Sequence, residues 1–124
     1  MTPFVHLLKS FDVSDLLDEI ASADPPAFLK RCFAEGIAAP TLSFKRVQEL
    51  AVCAMVLDSI INERAYEAFE PELIADWRAH YGHDAARLRD IAIAALRRAR
   101  ATLSPPDADA AAELGELERH LTPA

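Results

Sequence analysis

The sequence predicts an all-α protein of six or seven short helices packed around one buried central helix, at about residues 43–69. Three observations lead there. Leu50-Ala-Val-Cys-Ala-Met-Val-Leu57 carries no polar side chain, and a helix that is apolar around most of its circumference is buried on several sides. Alanine, leucine, glutamate and arginine are abundant while only three glycines occur, a mixture that favours helix over sheet. Prolines gather between stretches of helical periodicity, at Pro25-Pro26, Pro40, Pro71 and Pro105-Pro106, where they separate elements rather than interrupt them. At 124 residues the chain is expected to form a single helical domain over 1–124. A globule of that size hides roughly two-thirds of its unfolded surface and needs no metal or disulfide staple.

Taken in order, Phe4, Leu7, Leu8 and Phe11 fit one face of a short first helix. Asp12 or Ser14 then caps a helix over 15–22, with Leu16, Leu17 and Ile20 on its apolar side. Asp24 followed by Pro25 and Pro26 restarts the chain, since proline in a first turn loses little by lacking an N–H. The helix that follows, over 26–34, presents Phe28, Leu29, Cys32 and Phe33, and Gly36 is read as its left-handed stop. Ser43 or Thr41 caps the central helix. On a helical wheel Val47, Leu50, Ala54, Leu57, Ile61 and Ala65 form one stripe, and Val52, Val56 and Ile60 lie well away from it, so partners are expected on two sides. The β-branched residues in 52–57 would also suit a strand, but the helical pattern on both sides decides for helix.

Pro71 ends or bends the central helix near Phe69 or Glu70. The next helix is expected over 72–81, with Leu73, Ile74, Trp77 and Tyr81 as its apolar set and Gly82 as its stop. His83 or Asp84 then opens a helix over 84–103, whose stripe is Leu88, Ile91, Ala92, Ala95, Leu96, Ala99 and Leu103. Its acidic start and arginine-rich end suit the helix macrodipole. After the break at Ser104-Pro-Pro-Asp107, a last helix over 108–121 is expected to dock through Leu114, Leu117 and Leu121.

The net charge of −7 argues against a general nucleic-acid binder, which needs a basic face, and against an anionic membrane surface as partner. The N-terminal stretch lacks the basic and apolar regions of a secretory signal, so a cytoplasmic protein is expected. Cys32 and Cys53 are then read as buried free thiols.

The order of these features resembles a small bacterial helical family known as domain of unknown function 4259. Phe11-Asp-Val-Ser-Asp-Leu-Leu-Asp18 is similar to its phenylalanine-led acidic motif, matching best at Phe11, Asp12, Asp15 and Asp18. The run at 50–57 stands for its alanine- and valine-rich central helix, and Pro71-Glu-Leu-Ile-Ala-Asp-Trp77 for its proline-preceded tryptophan helix. Two departures stand out: a glycine- and tryptophan-containing start is missing, and Val13-Ser14 replaces an asparagine–aspartate pair. The resemblance implies a helical fold and no activity.

Four groups of residues are chemically suggestive. Asp76, His80, His83 and Asp84 have the donor types of a transition-metal site, although a glycine between the histidines weakens the geometry. Glu63, Glu67, Glu70 and Glu72 lack the Glu-x-x-His motif of carboxylate-bridged metal bundles and are read as a charged exterior. Asp58 follows directly on the apolar run, where a carboxylate is costly unless paired. It is expected to form an ion pair with an arginine of the 88–103 helix, the other reading being a polar residue in a pocket or interface. Arg97, Arg98 and Arg100 belong to the main basic concentration, with Arg87 and Arg89, and serve either an acidic protein partner or salt bridges inside the fold. No Gly-x-Ser-x-Gly or Walker sequence occurs, and no cofactor is expected. Two functions are weighed: a non-enzymatic protein-interaction module of regulatory or immunity type, and a metal-binding protein or metal-dependent enzyme built on His80 and His83. Self-association through Phe4, Val5 and Leu121 is a further expectation.

Overall fold

The computed structural model describes residues 4–103 and 108–122, and in them the chain forms six α-helices and no strand. They are α1 (Val13–Ser22), α2 (Pro25–Ala38), α3 (Phe44–Asn62), α4 (Pro71–Ala86), α5 (Arg89–Thr102) and α6 (Ala108–Leu121). The predicted break at 104–107 lies outside the described residues.

The Ser43 side chain accepts the Arg46 N–H at 3.2 Å and starts α3. Every residue of α3 from Leu50 to Ile60 is buried, because α2, α4, α5 and α6 all pack against it. The other helices each offer one apolar stripe to this core. α5 contributes Ala92, Ala95, Leu96 and Ala99, and α6 contributes Leu114, Leu117 and Leu121. α1 packs on α2 and buries Leu16 and Ile20, one turn apart. No helix among the described residues is long and apolar enough to cross a membrane.

Both glycines read as helix stops lie inside helices, and neither takes a positive φ. At Gly36 the reason is steric. A Cβ there would stand 2.7 and 2.8 Å from the methyl carbons of Leu50, which is fully buried. The glycine lets α2 approach α3 rather than ending α2. At Gly82 a Cβ would meet only the Arg78 stem at 4.0 Å, so nothing forces a stop and α4 runs on to Ala86. α5 consequently begins at Arg89 instead of Asp84.

The central helix is also shorter than its pattern suggested. It ends at Asn62, and Glu63 turns the chain with φ 56°, so residues 63–70 form a loop. The N-terminal segment departs further, since residues 4–10 form turns with positive φ at Phe4 and Ser10. Its apolar spacing is real but serves a coil: Phe4 and Leu7 are buried all the same. An irregular backbone needs side-chain partners for its polar groups, and here Gln48 and Glu113 supply them. Gln48 donates to the carbonyls of Leu7 and Lys9 at 2.9 and 3.0 Å. Glu113 accepts the N–H groups of Leu7 and His6 at 2.8 and 3.3 Å. Phe4 and Leu121, expected at an interface between copies, are thus core residues, whereas Val5 is exposed.

Candidate functional site

Asp58 is wholly buried and holds together three separate parts of the chain. Its Oδ1 accepts the Asn62 amide at 2.7 Å, and its Oδ2 accepts Arg64 Nε at 2.7 Å and the Tyr66 hydroxyl at 2.6 Å. His120 of α6 closes the cluster, with Nδ1 3.6 Å from the carboxylate and 3.3 Å from the Tyr66 oxygen. Asn62 also donates to the His120 carbonyl at 3.0 Å. Phe4 and Phe69 wall the cluster, their rings 6.1 and 5.7 Å from that of Tyr66. The cationic partner is therefore Arg64, not an arginine of α5. The left-handed turn at Glu63 explains this, because it folds Arg64 and Tyr66 back onto the carboxylate. Burial and the adjacent carboxylate hold the Tyr66 phenol far above its usual range, so it acts as a fixed donor.

Burial and the Arg64 guanidinium push the His120 imidazole below its ordinary value, and the attraction of Asp58 only partly opposes them. Glu116 and Arg119 also act on it, with opposite signs. The unfolded chain then binds the proton first. The stability contributed by neutral His120 is present above its unfolded value, about 6.5, and is lost as pH falls from there through the lower folded value. His6, held up chiefly by its hydrogen bond to Glu113, gives the opposite slope, so the comparison belongs between wild type and His120→Gln. Urea titrations at about pH 7.5 and about pH 5.5 should show wild type losing more stability on acidification than the variant.

The expected metal ligands do not converge. His80 turns its Nδ1 back onto the Asp76 carbonyl at 2.8 Å and carboxylate at 3.2 Å. His83 Nε2 faces the Arg87 guanidinium at 3.3 Å, which would repel a cation. Among the described residues no group of three or more His, Cys, Asp or Glu side chains is placed to hold a metal ion.

The three arginines proposed for a partner are engaged within the fold. Arg97 and Arg100 flank Glu118, a buried carboxylate of α6, with Nε–Oε1 3.3 Å and Nε–Oε2 3.0 Å. The Arg100 Nε contact is a charge contact without hydrogen-bond alignment, since Glu118 Oε2 accepts no hydrogen bond. Arg98 donates to the Gly36 carbonyl at 3.0 Å and to that of Ala39, satisfying the C-terminal end of α2.

A cleft of about 480 Å³ lies between the start of α1 and the first turns of α3. Asp12, Asp15 and Glu19 line one wall, and Lys45, Gln48 and Glu49 the other, with Phe11 and Leu16 as apolar surface. Asp12 caps α1 by accepting the Asp15 N–H at 3.2 Å, which sets the two carboxylates side by side. Repulsion from Asp12, and further from Asp18 and Glu19, raises the Asp15 carboxyl above its usual value. Comparison with family models, with curated proteins and with solved structures finds no match. The site must be read from its own chemistry. Its acidic wall coincides with the motif Phe11 to Asp18, but the facing wall from α3 has no signal in the sequence, because it is brought there by tertiary packing.

Proposed function

We propose that the protein is a non-enzymatic protein-interaction module, of regulatory or immunity type, that takes a basic segment of a partner protein into the cleft between α1 and α3. The observation supporting this is the acidic setting of Asp15 in the cleft: Asp12, Asp18 and Glu19 all raise its carboxyl. Four carboxylates line the cleft against one lysine, and Phe11 and Leu16 offer apolar contact beside them. A partner carrying lysine or arginine next to aliphatic residues would relieve the repulsion, which is the usual basis of electrostatic complementarity. The net charge of −7 adds long-range attraction for such a segment. A bacterial cytoplasmic setting, in keeping with the resemblance carried by Phe11 to Asp18, belongs to the same proposal.

A synthetic amphipathic peptide of leucines and lysines, and its counterpart with glutamates in place of lysines, test the reading. Amide chemical-shift changes on adding the basic peptide should fall on residues 11–19 and 45–49. Asp15→Lys with Glu19→Lys, which spares the Asp12 cap, should weaken binding by about tenfold or more, and added salt should weaken it further. Equal binding by the reversed variant, or shifts confined to another face, would refute the reading.

A further inference from the structure

Cys32 and Cys53 face each other across the α2–α3 contact. Gly36 lies one turn beyond Cys32, and its partner Leu50 lies one turn before Cys53. The two helices therefore run antiparallel here and pack tightly at Gly36 and Leu50, next to the cysteines. Cys53 is sealed in the core. Cys32 is also buried but lines a second depression, of about 140 Å³, with Arg31, Glu35, Arg46 and Glu49 around it. Both thiols are free and buried, and each acts on the titration of the other, which places them as neighbours.

We propose that Cys32 and Cys53 form an oxidation site for small peroxides, in which Cys32 is the attacking sulfur and Cys53 the resolving one. The depression reaches Cys32 and not Cys53, which sets the order of events. The Cys32 thiolate attacks one oxygen of hydrogen peroxide, the O–O bond breaks, and the departing hydroxide takes up a proton to become water. Cys32 is then a sulfenic acid. Cys53 attacks that sulfur, the S–O bond breaks as the S–S bond forms, and the second hydroxide leaves as water with the Cys53 proton. The two sulfurs lose two electrons and the peroxide gains them.

The electrostatics agree with these roles. The neighbouring Cys53 thiol and the Arg46 guanidinium lower the Cys32 thiol, and the nearness of Cys32 together with burial raises that of Cys53. A thiolate is the reactive form. A disulfide needs its two Cα atoms within about 7 Å, which facing positions on closely packed helices satisfy because each Cα stands about 2.3 Å off its axis toward the other. Gly36, with the Leu50 methyls against its backbone, keeps α2 and α3 closely packed beside the pair.

The test uses the reduced full-length chain and hydrogen peroxide, followed by alkylation under denaturing conditions and intact mass. The expected product is a monomer lighter by about 2 Da that takes up no alkylating agent. Cys53→Ser should stop at a sulfenic acid on Cys32 that dimedone traps, and Cys32→Ser should leave Cys53 unoxidised at the same dose. Peptide mapping of the wild-type product gives the same answer if either variant fails to fold. The proposal is overturned if Cys32→Ser is oxidised as fast as wild type. It is equally overturned if wild type gives only sulfinic or sulfonic acid or linked dimers, or keeps both thiols at a dose that oxidises free cysteine.

Discussion

Asp58→Ala is expected to lower the unfolding free energy by about 3–5 kcal/mol, the cost of breaking a buried charge pair by removing one partner. The loss comes from the groups left behind. The Tyr66 hydroxyl, tied to Asp58 at 2.6 Å, would keep only the His120 nitrogen at 3.3 Å. The Asn62 amide would keep only the His120 carbonyl. Arg64 is 41% exposed and can turn to water, which places the effect toward the lower end of that range. Asp58→Asn should cost less but not vanish, since a neutral amide presents one acceptor where the carboxylate presents two, and directs N–H groups at the donors of Arg64 or Asn62. Urea denaturation of both variants gives the test. Tyr66→Phe in a double-mutant cycle with Asp58→Ala should show strong coupling, since each change removes the same bond. A near-wild-type Asp58→Ala would mean that the cluster does not hold the fold together.

The fate of Asp58 illustrates what a sequence can disclose. A carboxylate directly after eight apolar residues marked a place where burial would demand a partner, and the sequence left open whether that place was a structural ion pair or a pocket. The choice of Arg64 did not follow, because it depends on a left-handed turn at a glutamate, a residue with no local preference for one. The helical framework was legible wherever apolar periodicity extended over several turns, as in α3 and α6. Ser43 was legible because capping chemistry is local. Gly36 and Gly82 misled because a glycine inside a helix, whether closely packed as Gly36 is or in open space as Gly82 is, looks the same in sequence as one that takes a positive φ. The arginines of α5 were ambiguous likewise, since Glu118 and the end of α2 reach them only through tertiary contact. The acidic cleft was half legible, its α1 wall being a contiguous motif and its α3 wall a product of packing.

Gln48→Leu should lower stability by about 2–3 kcal/mol, because it leaves the Leu7 and Lys9 carbonyls without their donor. Glu113→Ala, which orphans the Leu7 and His6 N–H groups, should act in the same direction, more mildly at the exposed His6. The informative quantity is their combination. Both side chains hold one segment, residues 4–10, whose other attachment is the burial of Phe4 and Leu7. Once either anchor is lost and the segment detaches, the second anchor has little left to hold. The double variant should therefore be less destabilised than the sum of the two, with the shortfall growing as detachment approaches completion. Limited proteolysis supplies the structural readout. Cleavage after Lys9 should accelerate in each single variant and change little further in the double, while α3 stays protected. Strict additivity, with cleavage unchanged, would show instead that the turns at Phe4 and Ser10 persist without their anchors and that the burial of Phe4 and Leu7 suffices to fix this irregular segment.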